Sequence, residues 1–327
     1  MNGAPSPNLY LLAIDHRRSF ERLFGVDGAV DAETHVRLAA AKVTVVDALT
    51  AAVEQRPALD GAGVLLDDHY GSAAIESARR SGLVVAVAFE RSGQSVLAFE
   101  HADWTARIVR LAGTPGERAG LAKLLVRHRT DDDPESRNVQ LDRLRQFSDA
   151  CAAAGVEFLL EILTPFNDAE RAAHDDNTLE NEVRPRLIAD AMAEIQAAGV
   201  EASVWKVEGV SKEAGCLSIL AAARAGGRDQ VGVVVLGAGA PRDTVASWLR
   251  AAAAGAYRGF AVGRSIWADA LRALDAGETD RASAQRDIAE HYLAMVDAFR
   301  TRCELTSAPP RARGSRPAAT SIGGLAH

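Results

Sequence analysis

The chain carries four lysines, Lys42, Lys123, Lys206 and Lys212, and takes the rest of its positive charge from arginine. Two of the four stand in short apolar runs: Lys123 precedes Leu124-Leu125-Val126, and Lys206 lies within Val204-Trp205-Lys206-Val207. A guanidinium stays charged in a protein, whereas an ammonium taken out of water can shed its proton and become a nucleophile. A lysine in such a run therefore points to amine chemistry. A period of two puts Val204, Lys206 and Glu208 on one strand face. Lys206 is read as the candidate nucleophile, against the alternative of a structural lysine paired with Glu208 or another carboxylate. Burying a charge without a use costs about several kcal/mol, which favours the nucleophile. Lys123 is either a second cation that helps keep Lys206 neutral and binds substrate oxygens, or a plain ion-pair partner. Glu161, in Phe158-Leu159-Leu160-Glu161-Ile162-Leu163, has apolar neighbours that tend to raise a carboxyl pKa toward proton transfer. It is read as the general acid/base, with counter-ion to a lysine as the alternative.

Two glycine-rich turns follow later apolar runs: Gly237-Ala238-Gly239, and Gly263-Arg264 ahead of a short helix expected over 266–275. Backbone N–H groups in such turns, with an arginine and a helix N-terminus, suit a phosphate. Gly237, Gly239, Gly263 and Arg264 are the candidate phosphate residues, and Arg17, Arg91, Arg127 and Arg129 the candidates for a second anion. Asp67-Asp68-His69 and Asp15-His16 contain metal-ligand types, but neighbours on a strand point to opposite faces, so no metal site is expected. Asp131-Asp132-Asp133 is expected to cap the following helix.

These residues need a frame that gathers strand ends. Short Val/Leu/Ala runs at 9–15, 63–67, 84–90, 122–127, 158–163, 203–208, 232–236 and 259–262 alternate with helical periods at 35–54, 72–80, 135–154, 186–198, 213–225, 242–253 and 283–300. Eight such units predict a single-domain α/β fold, a (β/α)8 TIM barrel, whose catalytic groups sit where the strands end. Segment 95–120, with aromatics, charges and a Thr-Pro-Gly turn, gives no clear helix. The expected organisation is an N-terminal arm at 1–8, the barrel at 9–306 and a disordered tail at 307–327, rich in Pro, Arg, Gly and Ser.

At 327 residues the chain is long enough for one such barrel, and 48% hydrophobic with 25% charged residues is ordinary for a globular protein. A net charge of −7 with scattered arginines argues against a nucleic-acid surface or a basic membrane anchor. Met1 to Asn8 has no basic leader and the apolar run after it is too short to span a membrane, so a cytoplasmic location is expected. Cys151, Cys216 and Cys303 are too far apart for a zinc pattern and are expected to be buried or semi-buried thiols. The Ala-rich outer helices would suit a homo-oligomer as well as packing within one barrel.

The motifs Ala13-Ile14-Asp15-His16-Arg17, Leu66-Asp67 with Tyr70-Gly71, Lys123-Leu124-Leu125, Leu160-Glu161-Ile162-Leu163-Thr164, Trp205-Lys206-Val207-Glu208 and Gly263-Arg264 run in order through most of the chain. Together they resemble the class I tagatose-bisphosphate aldolase family. A closer likeness is to the aldolase-like domain fused to 5-dehydro-2-deoxygluconokinase, which has a similar Asp-His-Arg start, Trp-Lys segment and Leu-Gly-x-Gly turn. The resemblance implies a Schiff-base lysine at Lys206, an acid/base glutamate at Glu161, supporting roles for Asp15, Glu90 and Lys123, and no cofactor. His16 and Pro165-Phe166 stand where the tagatose enzymes usually carry Gln and Tyr-Asp. The favoured substrate is then 2-deoxy-5-keto-gluconate 6-phosphate, cleaved to dihydroxyacetone phosphate and malonate semialdehyde. Tagatose 1,6-bisphosphate, a sulfosugar phosphate, or sugar-phosphate binding without turnover are the alternatives.

Overall fold

The computed structural model describes residues 8–113 and 119–307, with side chains through Thr301. The expected arm, apart from Asn8, the tail beyond Ser307 and the side chain of Cys303 lie outside the described residues. Eight strands, β1 (Leu9–Ala13), β2 (Ala62–Asp67), β3 (Val84–Ala88), β4 (Leu121–Arg127), β5 (Glu157–Leu163), β6 (Val204–Glu208), β7 (Gly232–Leu236) and β8 (Gly259–Val262), form a closed parallel barrel in sequence order. β1 pairs with both β2 and β8, which closes the ring. The chain is thus a (β/α)8 TIM barrel with helices between the strands.

Alternation along each strand sorts the side chains into two cores. Leu9, Leu11 and Ala13 point inward and pack with Leu65, Val84, Ala86, Leu121, Leu159, Val204, Val234 and Ala261, plugging the barrel. Tyr10, Leu12, Val64, Leu124, Leu160, Trp205 and Val207 point outward under the helices. Both faces of every strand are covered, which is why these runs read as continuously apolar. Gly63 lets two strands approach closely: a Cβ there would sit 2.4 Å from the Val84 carbonyl oxygen.

The helices follow the periods read from sequence, with ends set by capping chemistry. Asp133 accepts from the Ser136 N–H ahead of Pro134, starting the helix Pro134–Ala154, and Gly155 closes it at φ 67°. Asp67 caps the helix Asp68–Arg80, which begins four residues before the expected start because an aspartate, not an apolar period, nucleates it. Among the described residues of segment 95–120, Trp104–Leu111 alone is helical. Trp104, Ile108 and Leu111 recur there at i, i+4 and i+7, but the helix has eight residues, and Phe99 stacks on Trp104 at 4.5 Å with both rings against Phe147. Short pieces at Arg18–Leu23, Asp168–Ala173 and the π-helical turn Leu179–Val183 also escaped the periodicity. No helix among the described residues is long and apolar enough to cross a membrane.

Candidate active site

The alternation that fills the barrel also aims the polar residues. Leu121, Leu159 and Val204 belong to the inner plug, so Lys123, Glu161 and Lys206, two residues on, rise from the same inner face toward the C-terminal mouth. Asp15 and Glu90 continue the inward parity of β1 and β3 just past the strand ends. Glu161 and Lys206 are register partners across β5 and β6.

The five side chains meet. Lys206 Nζ lies 2.8 Å from Glu161 Oε2. Lys123 Nζ is ringed by three carboxylates, Asp15 at 2.7 Å, Glu90 at 2.9 Å and Glu161 at 3.0 Å. All five are buried, and they line one end of a cavity of about 610 Å³ that opens over β1, β3 and β4. Glu208, the other partner considered for Lys206, is turned away: it accepts from the Thr164 N–H and hydroxyl and pairs with Arg184 at 2.6 Å.

Charge within the cluster corrects one expectation. Burial acts to raise the Glu161 pKa, but the two ammonium groups beside it outweigh burial and hold it below the usual range. The carboxyl whose pKa is raised is Glu90, where burial prevails over Lys123 and Arg17. Asp15 is also driven against burial, well below the carboxylate range, by Lys123 and Lys206. Lys123 is held well above the ordinary lysine value: burial opposes its charge, but Asp15, Glu161 and Glu90 together prevail. Lys123 is thus a permanent cation and ion-pair partner at the centre of the cluster.

Arg17, expected to bind substrate, is occupied by the protein. Its guanidinium donates to the Glu90 carbonyl oxygen at 2.7 Å and the Glu90 carboxylate at 3.3 Å, and lies 3.5 Å from Glu100. Arg129 is likewise engaged, by Asp131 and Glu170. Arg91 and Arg127 do line the cavity, joined by Arg18 and Arg22, which sequence reasoning missed. These four are exposed and have no ion pair or side-chain hydrogen bond among the described residues. Arg18 and Arg22 stand i, i+4 in a helix of six residues, too short for a period to reveal their shared face.

The two glycine turns sit at the same end of the barrel but outside the lining of this cavity. Arg264 opens the helix Arg264–Asp275, two residues earlier than expected, and donates to the Ala238 carbonyl oxygen at 2.9 Å. Gly239 has φ 76°, and a Cβ there would come 2.8 Å from the Arg264 guanidinium carbon. Gly237 packs on Val262, and Gly263 on the Ala13 carbonyl oxygen. Gly237, Gly239, Gly263 and Arg264 therefore form a contiguous turn pair beside the cavity.

His16 lines the cavity with its ring edge on Trp267 and its Nδ1 3.9 Å from Asp15. Burial, opposed by Asp15 and aided by Arg264, Lys206 and Lys42, lowers its pKa to about 4. The Asp67-Asp68-His69 run diverges: Asp67 pairs with Lys42, Asp68 with Arg107, and the His69 ring packs on Tyr70. Of the acidic triplet, Asp133 caps a helix, while Asp132 accepts from the Arg129 N–H and Asp131 pairs with its guanidinium.

A plugged parallel barrel with two lysines and three carboxylates gathered at its C-terminal mouth defines a (β/α)8 protein with a buried lysine–carboxylate site. The chain belongs to the family described as "Uncharacterized protein conserved in bacteria (DUF2090)", which matches residues 2–303. Among solved structures it is similar to fructose-bisphosphate aldolase from Plasmodium falciparum, seen in complex with TRAP and a small-molecule inhibitor. That match has a TM-score of 0.61 and 14% identity over 90% of this chain and 91% of that one. It is also similar to fructose-bisphosphate aldolase from Slackia heliotrinireducens DSM 20476, with TM-score 0.52 and 14% identity over 86% of each chain. No curated protein matches the sequence. The likeness to these aldolases is one of fold.

Proposed function

We propose that this protein is a class I aldolase in which Lys206 forms a Schiff base with a phosphorylated keto-sugar. The observation that carries the reading is the Lys206–Glu161 contact of 2.8 Å at the buried end of an arginine-rimmed cavity. Lys123 is tied by three carboxylates, whereas Lys206 is held by one, which leaves Lys206 as the amine for attack. Its neutral Nζ adds to the substrate ketone, and loss of water leaves an iminium that can accept an electron pair. Glu161, kept ionised by two cations, or a water it orients, takes the proton from the hydroxyl two carbons away. The bond between the intervening carbons then breaks, its electrons flow into the iminium to give an enamine, and the aldehyde half departs. Protonation of the enamine carbon and hydrolysis return Lys206 and release the ketone half. Glu90, with its raised pKa, joins the same cluster through Lys123 at 2.9 Å.

The favoured substrate, on the motif resemblance, is 2-deoxy-5-keto-gluconate 6-phosphate, giving dihydroxyacetone phosphate and malonate semialdehyde. The glycine turns with Arg264 would hold its phosphate, and the free arginines of the cavity its carboxylate. Incubation with dihydroxyacetone phosphate and sodium borohydride, followed by peptide mass spectrometry, tests the chemistry. The expected result is a reduced adduct on Lys206, formed equally well in the presence of a chelator. Binding of the ligand with no adduct would overturn the Schiff-base reading and leave a sugar-phosphate-binding protein or a lyase of another mechanism.

A further inference from the structure

A second charged pair lies beside the site, between the end of β2 and a surrounding helix. Lys42, in the helix Ala32–Gln55, and Asp67, the last residue of β2, are both fully buried and joined by an ion pair. The ammonium has two further acceptors, the Ile14 carbonyl oxygen at 2.7 Å and the His16 carbonyl oxygen at 3.0 Å. The second Asp67 oxygen accepts from the Tyr70 N–H at 3.0 Å. The rings of Phe20 and Tyr70 flank the ammonium at 5.0 and 5.8 Å. Every donor of Lys42 is therefore directed, and two of the three go to the backbone on either side of Asp15.

That backbone has already left the sheet. β1 ends at Ala13, and Ile14 makes the last bond to β2, its N–H donating to Leu65. Beyond it Asp15 must turn inward to reach Lys123 at 2.7 Å while His16 turns to the cavity. Asp15 keeps the inward parity of β1, but the ladder bonds stop at Ile14 and do not hold either residue in place. A buried ion pair is a weak source of stability compared with apolar residues of the same volume, so its use here is better sought in position than in folding energy.

We infer that the Lys42–Asp67 pair is a positioning device for the candidate active site: Asp67 fixes Lys42, and Lys42 clamps the carbonyls of Ile14 and His16 so that Asp15 meets Lys123. The role rests on the Schiff-base reading of Lys206, and neither Lys42 nor Asp67 touches substrate.

The test is the double variant Lys42→Met/Asp67→Asn, which removes both charges together and keeps an oxygen for the Tyr70 N–H. The readout is the rate constant for borohydride-trapped adduct at saturating dihydroxyacetone phosphate, alongside the half-saturating concentration. Misplacing a reacting group by about 1 Å can cost about 10²-fold. A fall of that order with half-saturation within about twofold of wild type is expected, whereas a folded double variant with a wild-type rate constant overturns the inference. If the double variant does not fold, Asp67→Asn alone serves, because it removes the charge that fixes Lys42. A fall in the trapping rate constant toward about 10²-fold with half-saturation little changed is then expected, and a wild-type rate constant overturns the inference. Wild-type protein that gives no adduct defeats the Schiff-base reading instead. The clamp is then judged by the crystal structure of the double variant, where an Asp15–Lys123 distance still at 2.7 Å overturns it.

Discussion

Glu161 and Lys206 are paired twice, once through the backbone as register partners in β5 and β6 and once through side chains at 2.8 Å. The double pairing fixes the separation of a carboxylate and an amine without help from any loop. Glu161→Gln keeps the volume and an oxygen acceptor and removes the basic charge. Loss of a positioned acid/base group typically costs 10²–10⁴-fold, and a fall in kcat of about 10³-fold is expected, with substrate affinity little changed. Single-turnover kinetics beside equilibrium binding separate the two, and a loss confined to binding would make Glu161 a mere counter-ion.

Lys206→Arg and Lys123→Met should fail in different ways. An arginine at 206 still neutralises Glu161 but has no amine to lose a proton, so the trapped adduct should vanish while the melting temperature changes little. Removing Lys123 strands three buried carboxylates around one vacated charge. A loss of about 3–5 kcal/mol of folding stability is expected, measured by urea unfolding. Residual adduct at Lys123 in Lys206→Arg would reverse the roles assigned to the two lysines.

How far these roles could be read in the sequence follows from the physics of each signal. The strands, the long helices and the residues Lys123, Glu161 and Lys206 were legible because a polar residue in an apolar run of period two has no other reading than an inward strand position. The sign of the Glu161 shift was not legible. It depends on two ammonium groups brought from β4 and β6, whereas the sequence shows only the apolar neighbours in β5. Arg17 looked like a ligand residue because nothing local reveals that Glu90, 73 positions away, occupies it, whereas Arg129 is held both by Asp131, two positions on, and by Glu170, 41 positions on. Lys42 carried no signal at all, since one lysine in an amphipathic helix ordinarily faces solvent.

The free guanidinium groups at Arg91 and Arg127 predict a binding effect without a chemical one. Both line the cavity and neither is neutralised by a protein carboxylate among the described residues. Arg91→Ala and Arg127→Ala are each expected to raise KM by about tenfold and leave kcat within about twofold, since a charge-assisted hydrogen bond is worth about 1.5–3 kcal/mol. The wild-type KM should also rise with ionic strength, and less steeply in either variant. Equal kcat losses would place these arginines in the reacting centre instead of at an anion.

His16 makes folding stability depend on pH with a definite sign. Its pKa is lowered from 6.5 to about 4 in the folded protein, chiefly by burial. As the pH falls below 6.5 the unfolded chain takes up a proton that the folded protein does not accept until about pH 4, so protonation favours unfolding across that window. Between pH 7 and pH 4.5 the imidazole should withdraw on the order of 2 kcal/mol of stability. Glu90 acts in the opposite sense, because its raised pKa makes the folded state the better proton acceptor. Glu161 and Asp15, with lowered pKa, act in the same sense as the histidine, so the wild-type profile mixes these contributions, and the comparison that isolates the histidine is with His16→Gln. That variant should lose the descending limb between pH 6.5 and 4.5, as followed by denaturant unfolding at each pH, and keep the contribution of Glu90. Parallel profiles for the two proteins would mean that the imaidazole is solvated and free to protonate, and that Trp267 and the β8 turn do not shield it.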